Sequence, residues 1–134
     1  MKLSIVIPAY NEEHNIKKGV LYEVLSYLKG VDYSYEVIIV DDGSSDNTVI
    51  IVKDYIKDKK NWKLVENKHG GKAFTVMSGL LEAKGEIVLF TDMDQATPLS
   101  QVEKFFPKFR EGNDIVIGSR TGREGAPFLR KLMA

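Results

Sequence analysis

Two carboxylates stand one residue apart in Thr91-Asp92-Met93-Asp94-Gln95, directly after the apolar run Ile87-Val-Leu-Phe90. The run is rich in β-branched and aromatic residues and reads as a buried strand of a parallel sheet. Side chains alternate along a strand, so Asp92 and Asp94 share a face if the extended geometry continues past Phe90, with Met93 opposite. Neighbouring carboxylates repel, and without a partner one of them tends to keep its proton. A divalent cation reverses that preference, and oxygen ligands at this spacing suit Mg2+ or Mn2+. Helix capping is the plainer explanation, because Thr97-Pro98 has the form of an N-cap followed by the first helical residue. Capping accounts for Thr97 but gives no reason for two acids at a strand end.

Four more polar clusters follow apolar runs: Tyr10 to Glu12, Asp41-Asp42, Gly70-Gly71-Lys72 and Ser119-Arg120. A carboxylate at a strand end can accept from a nucleobase N–H, and Tyr10 can stack against the base. Gly70-Gly71-Lys72 at a helix start lets backbone N–H groups and one cation approach an anion. It is not a Walker loop, since Ala73 stands where Ser or Thr should follow the lysine. No G-x-G-x-x-G follows the first strand, which argues against a nicotinamide-dependent oxidoreductase. Two acids with a cation, together with Lys72 and arginine on the same edge, describe a diphosphate site. There the metal bridges phosphate oxygens as a nucleoside diphosphate leaves. His14 and His69 read as surface or capping residues, and Glu12 and Glu13 suit the positive end of a helix dipole.

The elements that must hold these groups follow from periodicity. Residues 3–7 form a short buried strand stopped by Pro8, which cannot donate to a central ladder. A helix follows with Ile16, Val20, Val24 and Leu28 on one stripe, Asn11 as its N-cap and Gly30 at its close. Residues 35–40 form a second buried strand. Gly43 then permits a tight turn, and Ser45 or Asp46 caps a helix carrying Val49, Val52 and Ile56. A weaker strand over 62–65 belongs near an edge, and the helix after Gly71 turns Phe74, Met77 and Leu81 inward. A helix from Pro98 carries Leu99, Val102, Phe105, Phe106 and Phe109, bent or shortened by Pro107. Residues 114–118 form a fifth strand. This alternation predicts an α/β three-layer sandwich around a mostly parallel sheet. Ligands of such sheets sit beyond the carboxyl ends of the strands, the edge on which all five clusters fall.

At 134 residues the chain suits one domain with a real core. Lys+Arg and Asp+Glu balance at 19 each, which argues against a nucleic-acid partner. The absence of cysteine excludes disulfides and thiolate metal sites and suits a reducing compartment. No apolar run approaches the roughly 18 residues that span a bilayer. The few residues before the first strand are too short for a signal peptide, so a cytoplasmic location is expected.

With these residues in view, three segments resemble, in order and separation, the signatures of family 2 glycosyltransferases of the GT-A fold. They are Ser4-Ile-Val-Ile-Pro-Ala-Tyr-Asn-Glu12, Val40-Asp-Asp-Gly-Ser-Ser-Asp-Asn-Thr48 and Asp92-Met-Asp94. Ile117-Gly-Ser-Arg120 resembles the segment of the polyprenyl- and dolichyl-phosphate sugar synthases within that family, and the likeness covers essentially the whole chain. The resemblance implies a Rossmann-like nucleotide-sugar-binding fold and a metal-dependent, inverting transfer from a UDP- or GDP-sugar to a polyprenyl phosphate. It implies that Pro8, Ala9, Tyr10 and Glu12 line the nucleotide pocket and that Asp41 and Asp42 contact the base, with Asp42 preferred. Lys72 then faces the diphosphate, and Asp92 and Asp94, with Gln95 beside them, hold the metal-diphosphate. Arg120 meets the acceptor phosphate or the donor diphosphate, with Arg130 a second such arginine.

Gln95 follows the second acid directly, unlike the Asp-x-Asp-x-Gln of mannosyl-phosphate synthases. Gln95-Ala96-Thr97 is closer to the Gly-Ala-Thr of the dolichyl-phosphate glucosyl type, which leaves sugar and nucleotide open. The family's catalytic domain continues past the Gly-Ser-Arg segment, so a truncated chain is expected. Residues 1–120 would be the nucleotide-sugar-binding core, and 121–134 a tail or the start of an acceptor-side segment able to lie at a membrane face. Two alternatives stay open: a nucleotide- and metal-binding module that transfers nothing, and a transferase to a saccharide hydroxyl. A haloacid-dehalogenase-like phosphatase is disfavoured, because its Asp-x-Asp follows the first strand.

Overall fold

Runs of Ile and Val make the centre of a parallel sheet. In the computed structural model, which describes residues 2–118, the strands are β1 (Lys2–Ala9), β2 (Ser34–Asp41), β3 (Trp62–Glu66) and β4 (Ile87–Phe90). They lie in the order β3-β2-β1-β4, all pairs parallel. The two central strands are buried on both faces, with Leu3, Ile5, Val6 and Ile7 of β1 against Val37 to Val40 of β2. The weak strand at 62–65 takes an edge, as its composition predicts. The chain divides into two compact units, Met1–Gln101 and Val102–Ala134.

Pro8 does not stop β1 but pairs within it, opposite Val40. The carbonyl of Val6 accepts from Thr91 N–H on the β4 side. Pro8 faces that same side two residues on, beyond the last β1–β4 pair at Val6 and Phe90, so its missing N–H removes no ladder bond. The first helical stripe is buried as expected at Ile16, Val20, Val24 and Leu28. It is carried by two helices, α1 (Glu13–Lys17) and α2 (Val20–Leu28), because Gly19 sits at φ +99° between them. The third helix, α3 (Thr48–Ile56), buries Thr48 and Val52.

Helix α4 (Lys72–Glu82) corrects the sequence reading. Phe74, Met77 and Leu81 are exposed, and the buried positions are Thr75 and Gly79. A Cβ at Gly79 would lie 2.3 Å from Val6 Cγ1 and 2.9 Å from Val40 Cγ2. The helix therefore lies close on the sheet through its small residues, and its large apolar stripe faces outward. β4 is likewise not buried on both faces: it is an edge strand with Val88 and Phe90 exposed.

A 3-10 stretch (Leu99–Lys104) and a short α5 (Phe106–Arg110) replace the single helix expected from Pro98, with Pro107 in the first turn of α5. The expected strand at 114–118 does not form. Ile115 and Ile117 are exposed there, and a short apolar run alone does not make a strand without a neighbour to pair its backbone. Among the described residues no helix is long and apolar enough to cross a membrane.

Candidate active site

The polar residues after β1 and β2 first of all hold each other. Asn11 adopts φ 54° and is not a helix cap. Its backbone N–H donates to Ser44 Oγ at 2.9 Å, and its Oδ1 accepts from Ser45 N–H at 2.8 Å. Glu12 N–H donates to Thr48 Oγ1 at 2.8 Å and Glu13 N–H to Asp46 Oδ2 at 3.2 Å. Asp46 Oδ1 also accepts from Thr48 N–H at 2.9 Å, but the N-cap of α3 is Asn47, without a side-chain cap bond, rather than the expected Ser45 or Asp46. These bonds lock the two loops into one floor.

The carboxylate of Asp42 is fixed by the start of α4. Its Oδ1 accepts from Gly70 N–H at 2.8 Å and its Oδ2 from Gly71 N–H at 3.0 Å. Burial pushes this carboxyl up, but bonds from Gly70 N–H, the Thr75 side chain and Gly71 N–H, with His69 beside it, hold it below its ordinary value. The Gly-Gly amides assigned from sequence to a ligand anion are thus occupied by the protein's own acid. Asp41 turns the other way: Gly43 and Ser44 N–H donate to its Oδ2 at 2.9 and 3.0 Å. Its Oδ1 is buried without a partner among the described residues.

The residues that remain open surround a cleft of roughly 420 Å³ at the carboxyl ends of the strands. Pro8, Ala9, Tyr10 and Glu12 line it from β1 and its loop, Asp42 from β2, Lys72 and Thr75 from α4, and Asp92, Met93 and Asp94 from the end of β4. Both acids of the Asp92-Met-Asp94 segment are exposed. Asp92 Oδ1 accepts from Lys72 Nζ at 2.6 Å, and Asp94 Oδ1 accepts from Ala96 N–H at 2.9 Å. Asp41 and Gln95 are not among the lining residues: Gln95, at φ 48°, donates its Nε2 to the Asp92 carbonyl at 2.9 Å. Arg120, Arg130 and the 121–134 tail lie outside the described residues.

His69, expected at the surface or as a cap, lines the cleft, as do Asn15 and Thr75, which the sequence did not single out. The Nδ1 of His69 is 2.9 Å from Asp42 Oδ2, and its ring lies 4.6 Å from that of Tyr10, tilted by 30°. Its place in the Asn67-to-Lys72 cluster after β3 was the available signal.

Among the described residues no three His, Cys, Asp or Glu side chains converge as a protein-only metal cage. The donor set at Asp92 and Asp94 nonetheless suits a hard cation. Mg2+ and its like are commonly held by one or two carboxylates, the remaining positions going to phosphate oxygens and water. The exposure of both acids leaves oxygen atoms available for that purpose.

A parallel α/β sheet with a nucleotide-sized acidic cleft at its carboxyl rim defines a GT-A glycosyltransferase fold, and solved structures of that kind superpose on it. Residues 4–133 match the model of glycosyl transferase family 2, and the chain belongs to that family. A dolichyl-phosphate beta-glucosyltransferase of Trichomonas vaginalis is 35% identical over 98% of this chain and 45% of its own length. An undecaprenyl-phosphate 4-deoxy-4-formamido-L-arabinose transferase of Proteus mirabilis is 32% identical over 95% of this chain and 39% of its own. The chain thus spans less than half the length of these relatives. Residues 1–349 of TarS from S. aureus superpose with a TM-score of 0.64 at 31% identity, covering 95% of this chain and 38% of that one. The mannosyltransferase PcManGT of Pyrobaculum calidifontis, solved with GDP-Man and Mn2+, gives a TM-score of 0.60 at 30% identity, covering 75% of this chain and 30% of that one.

Proposed function

We propose that this chain is the donor-binding part of a metal-dependent, inverting glycosyltransferase that moves a sugar from a UDP- or GDP-sugar to a polyprenyl phosphate. The observation that carries the reading is a single cleft lined at once by Tyr10 and Asp42 and by Lys72, Asp92 and Asp94. The first pair suits a nucleoside, the second group a diphosphate with its cation. Relatives named for dolichyl and undecaprenyl phosphate support the acceptor class, and a neighbour solved with GDP-Man and Mn2+ supports the donor and metal classes. Action on a polyprenyl acceptor would place the protein peripherally at the cytoplasmic face of a membrane.

Asp92 and Asp94 would hold Mg2+ or Mn2+, and the bound cation would offset charge on the departing diphosphate. Lys72 brings a further positive charge to the same place. Asp42, pinned by α4, and Tyr10 would hold the nucleoside, so that the anomeric carbon is presented to the acceptor in one orientation. A phosphate monoester is already an anion near neutral pH, so the acceptor oxygen needs little help from a general base. Arg120 would meet the acceptor phosphate or the donor diphosphate.

A thermal-shift screen of UDP, GDP and their sugars with Mn2+ or Mg2+ tests the reading, since preferential binding raises the unfolding temperature. The expected result is stabilisation by nucleoside diphosphates that depends on the metal. Stabilisation that is indifferent to metal would remove the role of Asp92 and Asp94. Binding without transfer from any donor to a polyprenyl phosphate or a sugar hydroxyl would reduce the chain to a binding module.

A further inference from the structure

His69 lies between Asp42 and Tyr10, and its chemistry goes beyond packing. Its Nδ1 is 2.9 Å from Asp42 Oδ2 and 3.2 Å from the Asp42 carbonyl oxygen. Both partners can only accept, so Nδ1 is the nitrogen that carries the proton. In the neutral ring the other nitrogen, Nε2, is then a lone-pair acceptor, a tautomer set by the hydrogen bond on the opposite side. Asp42 itself cannot swing, because Gly70 and Gly71 N–H hold both its oxygens. The ring is thus oriented from behind by a fixed carboxylate and from the side by Tyr10, yet its side chain stays 60% exposed at the cleft.

We propose that His69 is a specificity-determining residue that reads the nucleobase through Nε2. An acceptor at that place selects a base with a ring N–H, which uracil offers at N3 and guanine at N1. Cytosine N3 and adenine N1 present lone pairs at the matching positions and meet repulsion instead. The Asp42–His69 pair therefore extends a buried negative group into the cleft as a neutral, directional acceptor. This inference rests on the nucleotide reading above and assigns its UDP- or GDP-type preference to a residue outside the acidic segments.

The test is calorimetric titration of the 134-residue chain with UDP, GDP, CDP and ADP at fixed Mn2+, repeated on His69→Phe and His69→Gln. The parent is expected to bind UDP or GDP about tenfold more tightly than CDP and ADP, the worth of one well-made hydrogen bond. His69→Phe keeps a ring against Tyr10 but no nitrogen, and should level the four ligands to within about twofold. His69→Gln keeps an amide donor for Asp42 and a carbonyl acceptor, and should retain most of the preference. An independent readout is the 15N spectrum of the ring, in which Nε2 should resonate as unprotonated and shift on adding UDP or GDP but not CDP.

A parent that discriminates while His69→Phe keeps the same pattern, or an Nε2 signal unmoved by any nucleotide, overturns the role of His69 and leaves the nucleotide site standing. Equal binding of all four by the parent does the same. A parent that binds none of them overturns the nucleotide reading and this inference together. His69 is mostly exposed, so the variants should fold; if His69→Phe does not, His69→Gln and the ring spectrum decide.

Discussion

The two rims of the same sheet handle acidic groups in opposite ways. At the amino ends of the strands, Glu36 is buried and its Oε1 accepts from Ser4 Oγ at 2.6 Å and Lys84 N–H at 2.8 Å. Ser4 Oγ in turn accepts from Gly85 N–H at 2.7 Å, and Lys2 Nζ stands 3.6 Å from Glu36. This knot fastens the entry of β4 to β1 and β2 and uses up its polar capacity internally. At the carboxyl ends, Asp92 and Asp94 are exposed, with one short protein contact shown for each. A buried acid with several internal donors is a structural joint, whereas exposed acids with spare lone pairs across a cleft are available to a ligand. Asp42 stands between these cases: it lies at the functional rim but is held like a structural group.

The largest contrast is expected from Asp94→Asn. The exposed side chain carries little of the fold, so the unfolding temperature should hold while Mn2+-dependent nucleotide binding disappears. Calorimetry alongside thermal unfolding measures both, and unchanged affinity would remove Asp94 from the metal.

Gly85→Ala should do the reverse. A Cβ there would sit 2.7 Å from both Ser4 N and Ser4 Oγ and 2.8 Å from Lys2 O, mostly backbone that cannot yield. Overpacking of this kind costs about 1–3 kcal/mol. A chemical denaturation midpoint equal to that of the parent would show that the knot is looser than its distances suggest. Nucleotide affinity per folded molecule should be unaffected.

Much of this division was legible in the sequence and some of it was not. Apolar runs with β-branched residues announced β1, β2 and the edge strand β3, and the polar clusters after them announced the cleft. Burial direction in α4 was not legible, because hydrophobicity favoured Phe74, Met77 and Leu81 over Thr75 and Gly79. Only the close approach to Val6 and Val40 makes the small residues the inward ones. The polar signatures also carried two messages at once. Asn11, Ser44, Asp46 and Thr48 bind one another, while Tyr10, Glu12 and Asp42 face the cleft, and spacing does not distinguish the two sets. His69 was missed because a lone histidine acquires meaning only through its partners, which come from β1 and β2.

Acid should act first through the glutamates of both rims, since Glu13, bonded to Lys17 and Asn47, is held below 4.5 as Glu36 is. Burial raises the Glu36 carboxyl, but Ser4, Lys84 N–H, Lys2 and Lys63 outweigh it and hold it below 4.5. In the unfolded chain the group regains its ordinary value, so below about pH 4.5 unfolding takes up a proton and stability falls with pH until the folded carboxyl is itself protonated. Asp42 and Asp46, both held below 3.8, add to the loss at still lower pH. The unfolding temperature of the parent should therefore fall from about pH 4.5 downward. Glu36→Gln, starting lower by an amount of order 1–3 kcal/mol, should show a shallower fall over the first part of that range. Parallel curves for parent and variant would place the acid sensitivity elsewhere.

The smallest expected effect is at Lys72, whose pair with Asp92 has both side chains substantially exposed, at 62% and 48%. Exposed pairs of this kind contribute at most about 1 kcal/mol, so Lys72→Gln should leave the unfolding temperature nearly unchanged. Its value lies in the sign of two binding effects. The ammonium and a divalent cation draw on the same carboxylate, so removing Lys72 should strengthen the binding of Mn2+ alone. A nucleoside diphosphate gains from the ammonium directly, so the same substitution should weaken UDP or GDP binding at saturating Mn2+. Titration of the variant with metal and then with nucleotide separates the two. If both affinities fall together, Lys72 orients Asp92 for the metal; if neither moves, the pair is an ordinary surface contact and the functional rim is confined to the acids.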